Sequence, residues 1–217
     1  MMGDEWHWDV AWAAARKIAA VVPVTIAATV LGFVVAAAAG LAWTIARRSR
    51  SALVRGAVEA AMEFVRRTPL LVQLLFLYAA FPRLSVFAIG VIGLGLHYGA
   101  YLSEVYRAGI EAVDRGQWEA ARALNFSRQK TWTRIILPQA IRPIVPMMGN
   151  YLIVLFKETP LLFAINVTEM MAVAKQFGSE TFRYLEAFTV VGVFFFLMSY
   201  PASLVVRWLE ARFGRAG

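Results

Sequence analysis

From Ile18 to Ala46 the chain carries no charged side chain. No other feature constrains the fold as strongly. About 20 apolar residues cross a 30 Å hydrocarbon core at 1.5 Å rise per residue, and within lipid the backbone must satisfy its own polar groups as a helix. A first transmembrane helix is therefore predicted, with length to spare for tilt. Arg16 and Lys17 before the run and AAAAG at 36–40 imitate a secretory signal. The run, however, exceeds the usual ~7–15 residue signal core and ends on Arg47 and Arg48, so a retained span is expected. Composition agrees: 217 residues, 60% hydrophobic and 17% charged with mean hydropathy +0.60, against about 45–50% and 25% in soluble domains.

The remaining chain alternates in the same way. Residues 1–17 mix Trp6, Trp8 and Trp12 with Asp4, Glu5 and Asp9, as a segment at a membrane interface does. Residues 47–67 are basic, with Glu59 and Glu63 four apart on one helical face, and predict a helical extension outside the lipid. TPLLVQLLFLYAAF at 68–81 is too short to cross alone but suffices if its helix starts near Met62; Pro82 marks the turn. Ser85 to Tyr106 holds Gly90, Gly93, Gly95 and Gly99, residues that permit close helix packing in lipid. A fourth span is expected near Ile135 to Phe156, where Pro138, Pro143 and Pro146 predict broken or kinked backbone. Lys157 to Arg183 suits a folded loop or partly inserted helix, and Tyr184 to Val206 is the last span. The Phe194–Met198 run reads as lipid- or dimer-facing bulk.

The fold class expected is all-α and polytopic, with about five transmembrane helices. Five spans place the termini on opposite sides, and loop charge decides which. With the C-terminus inside, the inner segments collect Arg47, Arg48, Arg50, Arg55, Arg66, Arg67, then Arg107, Arg115, Arg122, Arg128, Lys130, Arg134, then Arg207, Arg212 and Arg215. The outer segments collect only Arg16, Lys17, Arg83, Lys157, Lys175 and Arg183. The positive-inside rule then sets the N-terminus outside. Three parts follow: an extracytoplasmic segment 1–17, a transmembrane domain 18–206 with a cytoplasmic loop at 107–134, and a cytoplasmic tail 207–217.

Several functions are disfavoured. The net charge of +8 is accounted for by cytoplasmic loops, so no nucleic-acid partner is expected. Cysteine is absent, and His7 and His97 are far apart, so neither a metal site nor another cofactor is expected. No glycine precedes a lysine, which excludes the GxxxxGK[ST] phosphate loop; energy from ATP would have to come through another subunit.

The most distinctive stretch is QWEAARALNFSRQKTWTRIILP at 117–138, a basic island between apolar segments. Gln117 to Leu124 is Ala-rich and helix-prone. Asn125 stands where a left-handed C-cap is wanted, and Ser127 can cap a following helix that returns to the membrane. Short helix, sharp turn and longer helix are predicted.

This island resembles the EAA loop of permease subunits of bacterial ABC importers. Glu119, Ala120 and Ala121 match, as do Ile135, Leu137 and Pro138 at the family spacing, with Asn125 in place of the usual glycine. RRTPLLVQLLFLY (66–78), GAYLSEVYRAGIEAV (99–113), GQWEAA (116–121), ILPQAIRP (136–143) and NYLIVLFKETPLL (150–162) are similar to importers of polar amino acids, a group that serves histidine, glutamine, glutamate, arginine and opines. The resemblance covers about residues 45–213. KETPLL and TFRYLEAFTVVG (181–192) are most similar to permeases for ectoine and hydroxyectoine.

The resemblance implies a type I ABC importer permease in the bacterial inner membrane. Its partners would be a cytoplasmic ABC ATPase dimer, an extracytoplasmic solute-binding protein, a second identical or similar permease, and a small zwitterionic solute. Helix 117–124 would be the coupling helix that docks on the ATPase, with Gln117, Trp118, Glu119, Ala120, Ala121, Leu124 and Asn125 in the contact. Glu119 would supply charge-assisted bonds, Ala120 and Ala121 close approach, and Trp118 and Leu124 apolar anchors. The alternative is a surface helix with Trp118 in lipid.

A solute path needs polar groups at membrane depth. Lys157 and Glu158 could together serve both ends of a zwitterion, with Thr159 and Asn150 nearby; an interfacial pair that only orients the helix is the alternative. Gln73 and Glu104 are further candidates that helix packing also explains, and His97 is expected to hydrogen-bond between helices. No bond chemistry, and hence no enzyme, is expected. A rival reading is an ion-coupled secondary transporter acting without an ATPase, which calls for inverted repeats that this sequence does not display. A membrane-embedded enzyme would need a convergent His, Asp or Ser cluster, and none is evident.

Overall fold

A computed structural model describes residues 5–213, all helices and connections; Asp4 of the N-terminal segment and Arg215 of the cytoplasmic tail lie outside the described residues. In chain order the helices are α1 (Trp8–Ala46), α2 (Ala52–Arg67), α3 (Leu70–Ala80), α4 (Val86–Glu111), α5 (Arg115–Ala123), α6 (Arg128–Thr131), α7 (Leu137–Glu158), α8 (Met170–Thr181) and α9 (Tyr184–Phe213). A π-helical turn, Trp132–Ile136, joins α6 to α7, and a 3-10 segment, Thr159–Ile165, follows α7. Four stretches are long and apolar enough to cross a membrane: α1, α4, residues 128–165 and α9. Helix α3 is apolar but has only 11 residues, about half a hydrocarbon core in length.

That short helix corrects one expectation. A single second span starting near Met62 does not form, because the helix breaks at Thr68 and Pro69, both extended. The proline ring pushes its predecessor out of the α region and has no N–H to give. The break is stitched by Gln73, whose Nε2 donates to the Val65 carbonyl at 2.8 Å, the Thr68 carbonyl at 3.1 Å and Thr68 Oγ1 at 2.7 Å. Gln73→Leu strands these acceptors, and a loss of about 1–3 kcal/mol is expected, read as a lower melting temperature of the purified protein.

Of the break or kink expected from the prolines of the fourth span, the break is absent. Helix α7 runs unbroken through Pro143 and Pro146, and Pro138 sits in its first turn. The irregular backbone lies earlier, at Trp132–Ile136, where the Leu137 amide bonds to the Trp132 carbonyl five residues back. A π turn of this kind inserts one extra residue and re-aims the helix that follows.

Close approach of α1 to α4 holds the bundle together. Gly32, Ala36 and Gly40 recur every four residues along one face of α1, all buried, and meet Gly95 and Gly99 of α4. A Cβ on Gly40 would lie 2.9 Å from the Gly99 carbonyl oxygen, a backbone atom that cannot step aside. Gly40→Ala is therefore expected to cost about 1–3 kcal/mol through overpacking. Gly192→Ala, where the added carbon meets nothing within 4 Å, should leave the melting temperature unchanged.

Two apolar clusters result. One joins α1, α3, α4 and α7 around Leu74, Leu94, Leu102 and Leu155. The other joins the start of α1 to α8 and α9 around Ile18, Phe156, Met170 and Phe177. Helix α8 is thus an element docked against α1 and α9, which matches the folded segment expected at 157–183. Its start is fixed by Glu169, which caps the Met171 and Ala172 amides at 2.9 and 2.7 Å. Trp8 and Trp12 are exposed, as an interfacial segment requires.

Candidate functional site

Two sites emerge, an open cavity on the face of the bundle and the outward face of α5. The cavity, 620 Å³, opens where the α2–α3 break faces α4 and α7. Arg66, Arg67, Thr68 and Pro69 come from the break, His97, Tyr98 and Tyr101 from α4, and Tyr151 and Glu158 from α7. Interrupted helices are tolerated in a membrane where they line a cavity, and this one does.

The three tyrosines form a single aromatic wall. Ring centroids of Tyr98 and Tyr101 are 6.0 Å apart, Tyr101 and Tyr151 6.0 Å, and Tyr98 and Tyr151 6.4 Å. His97 lies tilted against Tyr101 at 5.3 Å and shares a 3.1 Å hydrogen bond between its Nδ1 and Gln73 Oε1, so it does bridge helices, α4 to α3. An aromatic wall attracts an organic cation, a carboxylate such as Glu158 pairs with an ammonium, and a guanidinium such as Arg66 pairs with a carboxylate. The cavity thus offers both signs of charge.

The residues singled out from sequence separate sharply. Glu158 lines the cavity. Lys157, its neighbour, is exposed on another face. Thr159 is buried and its hydroxyl closes on the Phe156 carbonyl at 2.7 Å. Asn150 is exposed and donates to Glu210 Oε1 of α9 at 2.8 Å. Gln73 stands behind His97 as the stitch of the helix break. Glu104 lies outside the cavity, receiving Arg47 at 2.7 Å, Arg107 at 2.7 Å and Arg66 at 3.3 Å. Sequence reasoning missed Arg66, Tyr98, Tyr101 and Tyr151. The available signal was the Tyr98–Tyr101 spacing, close to one helical turn, but which helix faces those rings is a tertiary fact.

Beyond the cavity, Arg66 and Arg67 also bind Glu63, one turn earlier on α2. The hydrogen bond from Arg67, with the charges of Arg66 and Arg67, holds the Glu63 carboxyl below the usual carboxylate range.

The second site is built locally. Asp114 caps α5 by accepting from the Gly116 amide at 2.7 Å. Asn125 adopts φ 52°, left-handed, and the Phe126 amide reaches back to the Ala121 carbonyl at 3.0 Å, closing the helix end. Ser127 then caps α6 through the Lys130 amide at 3.3 Å. The predicted helix, turn and helix are all present, with α5 beginning two residues before Gln117. Because Asn tolerates the left-handed region that glycine also suits, Asn125→Gly should change the melting temperature little. Asn125→Val is expected to cost about 1–2 kcal/mol by the steric penalty at positive φ.

Not every residue of this loop faces outward. Trp118 packs edge-on against Trp132 at 5.2 Å and is half-buried, and Ala121 is buried. Gln117 receives a 3.2 Å bond from Gln139. The exposed surface includes Glu119, Ala120, Ala123 and Leu124, the last 66% exposed, together with Gln117, Asn125 and the cations Arg115 and Arg122.

Comparison with known proteins decides the family. Residues 37–215 match the family described as the binding-protein-dependent transport system inner membrane component. The chain belongs to that family. Among relatives, a probable amino-acid ABC transporter permease protein, y4tG, of Sinorhizobium fredii is 40% identical over 89% of this chain and 85% of its own length. The L-cystine transport system permease protein TcyB of Bacillus subtilis is 35% identical over 86% and 83%. The glutamine transport system permease protein GlnP of Escherichia coli K12 is 30% identical over 96% and 98%. A solved structure, the crystal structure of an amino acid ABC transporter with histidines, superposes with a TM-score of 0.85 at 31% identity, covering 91% of this chain and 94% of the other. This transport component is thus a multi-pass inner-membrane permease subunit of the ABC type. Its partnership is with an ATPase and a binding protein.

Proposed function

We propose that this permease forms half of the membrane pore of an ATP-driven importer of a polar amino acid or a related zwitterion such as ectoine. The observation that carries the reading is the cavity, where Arg66, Glu158 and the three tyrosines surround one space. A zwitterion requires a donor for its carboxylate and an acceptor for its cation in the same space, and relatives named for glutamine and L-cystine transport support that solute class. The α3 N-terminus at Leu70, with the positive end of its dipole at the cavity wall, favours the carboxylate.

The rest of the reading follows from charge and exposure. With the short helix α3 and its flanking extended residues taken as the fifth crossing, the N-terminus lies outside, residues 1–17 are extracytoplasmic, and the loop 107–134 and the tail 207–217 face the cytoplasm. The α5 face of Glu119, Ala120 and Leu124 docks in a groove of the ATPase dimer, with Trp118 bracing it from behind through Trp132. A second permease, identical or similar, completes the pore, and an extracytoplasmic binding protein delivers the solute. ATPase closure, transmitted through α5, switches the side on which the cavity opens.

The test is uptake by proteoliposomes holding the permease, its ATPase and its binding protein. Labelled polar amino acids are offered with and without internal ATP. Uptake of at least one that depends on ATP is expected; a complete panel with no ATP-dependent uptake contradicts the reading.

A further inference from the structure

Three guanidinium groups converge on the Glu104 carboxylate, and they are not equivalent. Arg47 Nη1 binds Oε1 at 2.7 Å and Arg107 Nε binds Oε2 at 2.7 Å, so both oxygens are already taken by short bonds. Arg66 Nη1 adds a third contact to Oε1 at 3.3 Å. Arg47 and Arg107 line a separate cleft with Glu59 and Glu111. Of the three, Arg66 alone lines the solute cavity. The longest of the three contacts therefore belongs to the one of these three cations that lines the cavity, where Arg67, held by Glu63, is the other cation.

We propose that Arg66 is the group that recognises the solute carboxylate, that Glu104 competes with the solute for it, and that solute binding thereby breaks one of the ties between α2 and α4. The inference rests on the zwitterion reading of the cavity and adds the residue and the competition. Its physical basis is that the Arg66 guanidinium is already divided between Nη2 on Glu63 and Nη1 on Glu104, so a solute carboxylate must displace one of them, and the 3.3 Å contact to Glu104 is the longer. Leaving Glu104 exposes no unpaired charge, because Arg47 and Arg107 still hold both its oxygens. Arg66 is also the last-turn residue of α2 and its carbonyl accepts the Tyr101 hydroxyl at 3.2 Å, so its side-chain choice acts where α2 meets α4. Glu63, one turn earlier, keeps Arg66 near the cavity mouth in either position.

The competition has a sign that simple structural support lacks. Removing the competitor strengthens solute binding, and removing a second cation from the competitor weakens it. The experiment measures binding of tritiated L-arginine or L-glutamine to the purified permease–ATPase complex, with agmatine and 4-aminobutanamide as partners lacking the carboxylate. Glu104→Gln is expected to tighten amino-acid binding about threefold or more and to leave the carboxylate-free partner within twofold. Arg107→Gln, which leaves Glu104 freer to hold Arg66, is expected to weaken amino-acid binding. Arg66→Gln is expected to remove the preference for the carboxylate-bearing member of each pair. Unchanged or weaker amino-acid binding in Glu104→Gln, in a complex that retains its melting temperature, overturns the competition while leaving the zwitterion reading intact.

A second arm needs no solute. The chain has no cysteine, so Ala60→Cys and Ala108→Cys, both exposed on α2 and α4, give one labelled pair per subunit for electron-spin distance measurement. Glu104→Gln should broaden that distance distribution in the absence of solute. An unchanged distribution overturns the proposed tie between α2 and α4. If wild-type complex binds none of the four probes, the zwitterion reading itself falls and the competition with it.

Discussion

Replacing Glu158 with glutamine should lower amino-acid uptake about tenfold to a hundredfold while the permease still assembles with its ATPase. The size follows from the interaction lost. A charged hydrogen bond contributes about 1.5–3 kcal/mol, and each 1.4 kcal/mol is a factor of ten in affinity. Glutamine preserves the shape and one acceptor oxygen, so what disappears is the charge that faces the solute cation. Glu158 ends α7 at the cavity and is joined there by Tyr98, Tyr101 and Tyr151, none of which carries a formal negative charge to replace it. Lys157→Gln provides the contrast. Lys157 is exposed away from the cavity, so uptake within twofold of wild type is expected, and initial uptake rates in proteoliposomes compare the two variants directly.

A charge reversal at Glu119 is expected to have an equally large effect by a different route. Glu119→Arg should reduce co-purification of the ATPase and lower uptake by at least tenfold, with membrane insertion unchanged. Glu119 is exposed on α5 beside Ala120 and Leu124, and the α5 geometry is fixed by Asp114 and Asn125 rather than by Glu119 itself. The substitution therefore leaves the helix standing and alters only what it presents. An arginine there meets the donors that the carboxylate would have satisfied, and like charges at an interface oppose association. Uptake and ATPase recovery both equal to wild type would remove α5 from the docking surface.

How far these sites could be read from sequence depended on how local their causes are. The α5 loop was legible almost to the residue, because its caps act over a few positions: Asn125 at φ 52° and Ser127 on the Lys130 amide were both expected from residue chemistry. The orientation of Trp118 was not, since it is decided by Trp132, across the intervening turn. Pro69 was visible in the sequence, yet the apolar run continues across it, and hydropathy alone joined what the proline separates. Conversely, Pro143 and Pro146 promised a break that α7 absorbs, while the π turn before it carries no comparable residue signal. The cavity was half legible. Glu158 was identified by its rarity in an apolar segment, but Asn150 and Thr159 share that rarity and face elsewhere. Arg66 was counted only as loop charge, because its place beside three tyrosines is made by the packing of α2 against α4 and of α4 against α7.

The most direct test of the account is uptake by proteoliposomes containing the permease with and without its ATPase subunit, at fixed internal ATP and in the presence of the binding protein. The account predicts uptake of a polar amino acid only when the ATPase is present, abolished when ATP is replaced by a non-hydrolysable analogue. Uptake by the permease alone, driven by a proton or sodium gradient and indifferent to ATP, would contradict it and make the chain an ion-coupled carrier.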